Sequence, residues 1–504
     1  MRRPRGRSDR TPAPARAPLG LGHHAARGAF VTLGGQGLRI VIQVLSVALL
    51  ARVLSPQDYG LIAMVVVIVG VGEIFRDFGL SSAAIQAPTL SREQRDNLFW
   101  INTGIGLTLG AVVFVAAGAV AALYDQPELV GIARLLSVTF LLNGIATQYR
   151  ADLVRHLRFG ALAMADVLAP VIALGVAMAF AVAGFGYWAL VAQTLAQTTT
   201  LLIAYAVSAR WFPRLPHRGV EMRGLLRFGW RLVGTQLIGY ASNNVDSFVI
   251  GLRFGAGSLG LYNRAFHLLM TPLNQLRAPT TTVALPVLSR LQDDDLRYAE
   301  FIRRGQLALG YTLVAALGVV ATAAEPIVEI FLGPRWETVV PLLRLLAVAG
   351  IFQTLSYVGY WIYLSRNLTG DLLRYTMVTA AIKVVCILVG STWGVIGVAA
   401  GYAVAPALAW PLSLWWLSRR TVIPTRALMT GALRILAVVA CAAGVAAVVD
   451  LTLVAHPAPL RLAVTAVTTV AVYALGGLVL PPLRRDISGV LAIARLGASR
   501  GALL

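Results

Sequence analysis

Long apolar runs separated by short polar breaks dominate the hydropathy pattern of this chain. Crossing about 30 Å of hydrocarbon takes about 20 helical residues, and a helix satisfies its own backbone hydrogen bonds where lipid offers none. Runs of this length recur fourteen times and predict an all-α polytopic membrane protein. The predicted spans are residues 28–53, 60–86, 98–123, 129–149, 161–183, 186–207, 225–252, 259–289, 304–324, 340–364, 371–390, 393–417, 430–451 and 460–480.

Composition and charge placement add a topology to this pattern. Of the 504 residues, 58% are hydrophobic and 13% are charged, whereas about a quarter of a soluble domain is charged. The net charge of +21 could indicate a nucleic-acid partner, but the arginines are concentrated in the two terminal segments and in alternate loops. By the positive-inside rule this alternation predicts that both termini are cytoplasmic. The basic charge is thus a topology signal, and no nucleic-acid partner is expected.

Internal similarity predicts two lobes. The segment VLSPQDYGLIAM at 53–64 resembles RFGAGSLGLYNR at 253–264, and LVGIARLLSVTFLLN at 129–143 resembles VVPLLRLLAVAGIFQ at 339–353. Both copies begin on the same side of the membrane, so they predict parallel six-helix lobes around a central cavity. The expected organisation is a disordered Arg/Pro-rich tail at 1–27, an N-lobe at 28–210, a C-lobe at 225–418, two extra helices at 430–480 and a basic tail at 481–504.

Span 2 carries ionisable residues where lipid is expected. The stretch GEIFRDFGL at 72–80 places Glu73, Arg76 and Asp77 on one helix face, and Arg39 lies in a polar stripe of span 1. A mid-membrane charge facing lipid costs roughly 2.5–3.5 kcal/mol, so such groups face a cavity or a partner. Spans 1 and 2 are therefore expected to line water. The alternative is an ion pair of Arg39 with Glu73 or Asp77 that only holds two helices together.

The C-lobe carries a polar set of its own. Span 7 contains Asn243, Asn244 and Asp246, and span 8 contains Arg264 and Arg277. Polar faces of this kind are usual beside a transport pathway. These residues are therefore candidates for the wall of a central cavity.

Lys383 is the only lysine of the chain and lies inside span 11. It either faces the cavity or extends its ammonium group to the nearer membrane interface. Span 8 also contains Pro272 and Pro279, which could kink it. His267 is the only histidine inside a span, and a lone histidine there is more typical of a packing residue than of a ligand.

The sequence contains no catalytic or metal-binding pattern. Neither HExxH, nor a Walker A motif, nor G-x-S-x-G is present, and Cys386 and Cys441 lie in apolar spans without metal-ligand spacing. The loops between spans are too short for a nucleotide-binding domain. We therefore expect a protein that is not an enzyme and has no cofactor or metal.

Several segments together resemble the Wzx-type polysaccharide exporters, in the branch similar to WzxC, which belong to the multidrug/oligosaccharidyl-lipid/polysaccharide (MOP) superfamily. The resemblance covers about residues 28–425. The segments that carry it are LLARVLSPQDYGLIAM (49–64), FRDFGLSSAAIQ (75–86), LRFGWRLVGTQLIGYASNNVDSFVIG (226–251), GSLGLYNRAFHLLMTPLNQL (257–276), LPVLSRLQDD (285–294) and LGPRWETVVPLLRLLAVAGI (332–351).

This resemblance implies a flippase of the bacterial cytoplasmic (inner) membrane that serves lipopolysaccharide or exopolysaccharide biosynthesis. It would move an undecaprenyl-pyrophosphate-linked oligosaccharide from the cytoplasmic to the outer leaflet by alternating access, coupled to a proton or a sodium gradient. The polymerase and glycosyltransferases of its pathway would be its partners. From position and charge, candidate contacts of the pyrophosphate are Arg39, Arg76, Arg264, Arg277 and Lys383. Candidate sugar contacts are Asn243 and Asn244. Candidate ion-coupling residues are Asp246, Asp77 and Glu73.

Three other functions remain open at this point. A small-molecule exporter of the same superfamily would share the lobes, although the excess of arginine over carboxylate in the spans argues against a cationic drug. A membrane polymerase or ligase commonly carries a large outer loop, whereas the longest one here spans about residues 325–339. A scaffold for partner synthases would leave the charges of the cavity unexplained.

Overall fold

The computed structural model describes residues 20–77, 80, 84, 90–219 and 222–486. It describes the backbone alone at residues 20–33, 36, 77, 223–232, 234 and 235. Of the two predicted tails, residues 1–19 and 487–504 lie outside the described residues.

Fourteen long helices make up the described part of the chain, in agreement with the predicted number of spans. The first six are α1 Gly20–Ala51, α2 Pro56–Asp77, α3 Arg92–Tyr124, α4 Leu129–Arg155, α5 Phe159–Val182 and α6 Trp188–Ala209. The helical stretch Arg223–Arg290 has two arms, α7 at 223–254 and α8 at 256–290. The others are α9 Asp295–Thr322, α10 Val340–Ser365, α11 Thr369–Gly390, α12 Gly394–Ser418, α13 Thr425–Thr452 and α14 Ala458–Val479.

The lengths and composition of these helices are those of a multi-pass membrane protein. Ten helical segments of the described residues are long and apolar enough to span a membrane, and one of them, Thr369–Ser418, contains both α11 and α12. Long helices of this hydropathy need an apolar solvent around them. The prediction of a polytopic all-α membrane protein is confirmed.

Local sequence explains where several helices begin and bend. Ser91 and Gln94 form a capping box that starts α3, because each side chain bonds the backbone N–H of the other residue. Between α7 and α8, Gly255 has φ 78° and ψ −179°, a conformation open to glycine and strained for other residues. Gly255 is the residue that leaves helical dihedral angles in this described stretch, and the helix continues through Pro272 and Pro279.

An alanine stripe brings the helices of the N-terminal half together. In α5 the residues Ala165, Ala169, Ala173, Ala177 and Ala181 recur every fourth position and are almost completely buried. Small side chains let helix backbones approach closely, which is how helices associate in lipid without a hydrophobic driving force. This stripe lies on the helix that packs against α1 and α6, while α3 packs along α4.

The C-terminal half pairs α10 and α11 with α12, and α8 packs against α10. The two extra helices pack on each other, with α13 against α9 and α14 against a short helix at Ala324–Phe331. In that contact the guanidinium of Arg461 pairs with Asp450 at 2.9 Å and with Glu325 at 3.2 Å. The extra helices therefore brace the C-terminal half.

The two halves meet along α2, which lies against the helical stretch that contains α7 and α8. A Cβ atom added to Gly60 would lie 1.7 Å from the backbone oxygen of Ala256, and one added to Gly260 would lie 1.8 Å from that of Pro56. Only glycine permits so close an approach. On α7, the Tyr240 hydroxyl donates to the backbone oxygen of Val67 on α2 at 3.0 Å.

The connection between α9 and α10 is folded onto the same end of the bundle. The predicted loop at 325–339 consists mainly of the short helix Ala324–Phe331 and a 3₁₀ helix, Pro334–Val339, that carries the buried Trp336. We call this end, where α1 turns into α2, the α1–α2 end. There Arg52 donates to the backbone oxygen of Ile330 at 3.1 Å, so the halves are tied together at that end.

Candidate functional site

A polar cavity of about 660 Å³ lies among α7, α8, α10, α11 and α12. Three of its lining residues, Asn243, Asn244 and Lys383, are candidates from the sequence. Ser242, Asn274, Gln353, Thr376, Thr379 and Tyr402 supply further polar groups. Hydroxyl and amide groups with a single cation in a membrane-embedded cavity suit a polar, anionic ligand.

Lys383 projects its ammonium group over an aromatic ring of this cavity. The Nζ atom lies 4.6 Å from the centroid of the Tyr402 ring, a cation–π distance, and the Tyr402 hydroxyl accepts from Gln353 Nε2 at 3.3 Å. Among the described side chains no carboxylate lies within ion-pair distance of Lys383. Its positive charge is therefore available to a ligand.

Asp246 lies behind this wall and is 1% exposed. One carboxylate oxygen accepts from the Tyr262 hydroxyl at 2.5 Å, and the other is buried without a hydrogen-bond partner in the described structure. Asp246 interacts electrostatically with Lys383. A buried oxygen of this kind is costly unless it gains a proton, a cation or a donor, so Asp246 suits ion coupling better than sugar binding.

Arg277 lies at the junction of the cavity with a second pocket. It is 4% exposed, donates to Asn274 and to Gln353 Oε1, and lies over the Tyr357 ring at 5.7 Å. Its Nε is buried without a partner among the described residues. The guanidinium is held by neutral groups alone, so it retains its full charge towards a ligand.

Arg264 lies elsewhere, at the contact between the two halves. Its guanidinium carbon lies 3.8 Å from the centroid of the Tyr59 ring on α2, and its NH2 group donates to Asn263 Oδ1 at 2.9 Å. The side chain therefore joins α8 to α2, near the closed α1–α2 end, and does not line the cavity.

The charged cluster of α2 is engaged in packing. Arg76 pairs with Glu73 on its own helix and donates to the Thr147 hydroxyl and the Asn143 backbone oxygen of α4. The Asn143 amide completes the network by donating to Glu73 Oε1 at 3.0 Å. Arg76 and Glu73 thus join α2 to α4, which is a structural role different from the predicted ion pair with α1.

The remaining N-lobe candidates are less constrained. Arg39 is half-buried, and no described side chain forms an ion pair or hydrogen bond with it. The side chain of Asp77 lies outside the described residues. On the same helix as Arg39, Gln43 accepts from Gln275 Nε2 of α8 at 3.1 Å, which is a polar contact between the two halves.

The sequence reasoning missed a set of tyrosines. A second pocket of about 580 Å³ adjoins the polar cavity and shares Gln353, Thr376 and Thr379 with it. It is lined by Tyr357, Tyr360, Tyr363 and Tyr375. The signal was present, since three of these tyrosines recur every third residue of α10 and must share one helix face.

Metal binding has no support in the described residues, because no group of three or more His, Cys, Asp or Glu side chains lies close enough to hold an ion. The cavity can instead bind a ligand through hydrogen bonds, through Lys383 on its wall and through Arg277 at its junction with the second pocket.

Comparisons with known proteins relate this chain to a family. The sequence profile of the family described as polysaccharide biosynthesis protein matches residues 49–341. Lipopolysaccharide biosynthesis protein WzxC of Escherichia coli strain K12 is 25% identical over 63% of this chain and 65% of its own. Succinoglycan biosynthesis transport protein ExoT of Rhizobium meliloti strain 1021 is 25% identical over 63% of each chain. The chain thus spans just under two thirds of the length of both curated relatives.

Solved structures show the fold. The lipid II flippase MurJ, in an inward closed conformation, superposes with a TM-score of 0.70 at 12% identity and covers 89% of this chain and 98% of its own. Since the family profile covers more than half of the chain, this protein belongs to the polysaccharide biosynthesis protein family.

Proposed function

We propose that this protein is a transporter that moves an undecaprenyl-pyrophosphate-linked oligosaccharide across the bacterial cytoplasmic membrane. The observation that carries the proposal is the polar cavity, in which Lys383 has no carboxylate within ion-pair distance among the described residues and beside which Arg277 is held by neutral groups. This cavity therefore favours a hydrated, negatively charged headgroup inside the membrane protein.

The chemistry of such a substrate matches the cavity wall. A pyrophosphate carries charge that hydrocarbon excludes, and a sugar carries hydroxyl groups that need hydrogen-bond partners. Lys383 and Arg277 would bind the phosphate oxygens, while Asn243 and Asn244 would bind hydroxyl groups. The prenyl tail would stay in the surrounding lipid, so only the headgroup needs a protein path.

The arrangement of the halves fits alternating access. With both termini in the cytoplasm, the α1–α2 end faces the outer side and is closed by α2 against α7 and α8. Transport would separate α2 from these helices and close the opposite end. Glycine contacts suit this movement, because backbones in contact can part without disentangling long side chains.

The names of the relatives support a place in polysaccharide export. WzxC is named for lipopolysaccharide biosynthesis, ExoT for transport in succinoglycan biosynthesis and MurJ as a lipid II flippase. A chain with the same fold, no nucleotide-binding domain in its described part and a cationic cavity is best explained as a non-enzymatic exporter of this kind. A proton or sodium gradient acting at Asp246 would drive it, and the polymerase and glycosyltransferases of the same pathway would be its partners.

Complementation of a deletion strain tests the proposal. Deleting the gene should cause undecaprenyl-pyrophosphate-linked oligosaccharide to accumulate and surface polysaccharide to disappear. The wild type should restore both, and so should the control Arg419→Ala, whose side chain is exposed outside the cavity. Lys383→Ala should fail to restore either. Unchanged lipid-linked sugar together with altered drug sensitivity would contradict the proposal and favour a small-molecule exporter.

A further inference from the structure

The pocket beside the polar cavity has the composition of a sugar-binding surface. Its wall holds Tyr357, Tyr360 and Tyr375 together with Leu372, and the rings of Tyr357 and Tyr360 lie 6.0 Å apart at 37°. An aromatic face carries partial negative charge, so it attracts the partially positive C–H groups on the face of a pyranose ring. A row of tyrosines can thus hold a hydroxyl-rich ligand that offers few other apolar surfaces.

Unpaired polar groups point to a ligand in the same pocket. Arg277 Nε and Ser356 Oγ are both buried without a hydrogen-bond partner in the described structure, and both residues line the pocket. Leaving a buried donor unpaired costs about 1–3 kcal/mol, so such groups are normally satisfied by protein, water or ligand. A sugar hydroxyl group, which both donates and accepts, could satisfy Ser356 Oγ, and a ligand oxygen where the two pockets meet could satisfy Arg277 Nε.

These tyrosines differ from an aromatic belt at the membrane surface, which would face outward to the lipid headgroups. The Tyr375 hydroxyl donates to the backbone oxygen of Ala409 at 3.0 Å, and the Tyr357 hydroxyl accepts from Thr281 at 3.1 Å. Both side chains are fixed inward by α12 and α8. Tyr360 also lines the pocket and keeps 40% of its surface exposed.

The relative position of the two pockets predicts how the ligand is oriented between them. Along α11 the tyrosine pocket starts at Leu372, near the beginning of the helix, whereas the polar cavity extends to Lys383. Arg277 lies between them, with hydrogen bonds to residues of the cavity and Tyr357 on its other side. A headgroup with phosphates at one end and sugars at the other fits this order.

We propose that the tyrosine pocket is the saccharide subsite of this transporter, which holds sugar rings against Tyr357 and Tyr360 while Lys383 and Arg277 hold the phosphates. This inference rests on the proposed function and assigns the sugars to the tyrosine pocket and the phosphates to the polar cavity and to Arg277, at the junction of the two pockets. The pocket would then set which oligosaccharide is accepted, whereas the cavity would accept any prenyl pyrophosphate.

Binding measurements on the purified full-length protein in nanodiscs can separate the two pockets. One probe is farnesyl pyrophosphate, which has phosphates and no sugar. The other is the host's own oligosaccharide repeat, linked to the same farnesyl pyrophosphate. Tyr360→Ala should weaken binding of the second probe about tenfold and leave the first unchanged. Lys383→Gln should weaken both probes.

Two control variants distinguish a loss of sugar binding from misfolding. Tyr360→Phe keeps the ring and should bind both probes as the wild type does, and Trp393→Ala removes an aromatic residue that is 71% exposed outside the pocket. If Tyr360→Ala lowers both affinities equally, or neither, the saccharide subsite is wrong even though the wild type binds. If the wild type binds neither probe, the proposed function itself fails.

Discussion

The indole nitrogen of Trp336 donates a hydrogen bond of 2.9 Å to the backbone oxygen of Ala51 and so fastens the connection between α9 and α10 onto the end of α1. Tyr59 of α2 packs against the same indole with ring centroids 5.8 Å apart. Contacts from three parts of the chain thus meet at the α1–α2 end. If the protein works by alternating access, this closure must open in every cycle.

A covalent link across the closed end should stop transport. A Cβ atom added to Gly257 lies 3.4 Å from Gln57 Oε1. Cysteines placed at both positions, in a background lacking Cys386 and Cys441, should be joined by a short thiol cross-linker. Movement of lipid-linked oligosaccharide to the luminal leaflet of inverted vesicles should then stop and should return when a cleavable linker is cut. Full activity in quantitatively linked protein would contradict an opening at this end.

Enlarging the glycine contact should favour separation of the halves. Gly260→Ala places its methyl group 1.8 Å from the Pro56 backbone oxygen, so the closed contact loses about 1–3 kcal/mol. A cysteine at Gln57 should then react at least about tenfold faster with a membrane-impermeant maleimide. Gly104→Ala on α3 is the matched control, because no atom lies within 4 Å of its new methyl group. Equal labelling rates in both variants would rule out this contact as the closure.

Replacing Arg76 should affect stability before substrate recognition. Arg76→Ala leaves Glu73 partly buried beside Asn143 without its cation, at a cost of roughly 2 kcal/mol. The thermal unfolding midpoint should fall, and adding Glu73→Gln should reverse part of that decrease. Prenyl pyrophosphate binding by the folded fraction should stay unchanged. Loss of binding at an unchanged midpoint would show instead that Arg76 contacts the substrate.

Neutralising Asp246 should separate binding from energy coupling. Asp246→Asn keeps an oxygen that can accept from Tyr262 and removes the charge that a proton or sodium ion would balance. Headgroup binding should persist, while uptake driven by an imposed ion gradient should fall to the rate seen without a gradient. The measurement is transport into proteoliposomes with and without proton or sodium gradients. A gradient response equal to that of the wild type would remove Asp246 from the coupling pathway.

Sequence alone was sufficient for the architecture, because membrane helices obey a strong local rule. Any run such as residues 129–149 must be helical in lipid to satisfy its backbone, so its length and hydropathy decide its structure. The motifs around residues 49–64 also indicated the family that the comparisons later showed. The break at Gly255 was harder to locate, since the sequence offered Pro272 and Pro279 of the same helical stretch as candidates for a kink.

The assignment of side chains to the site depended on tertiary structure. Charge and position placed Arg76 and Lys383 in one group, but the fold puts Arg76 in a network with α4 and Lys383 on the cavity wall. Helix periodicity defines which residues share a face and not which helix or cavity that face meets. The tyrosines of α10 became a candidate subsite only when α11 and α12 closed a pocket around them, because a concave surface exists only between helices distant in sequence.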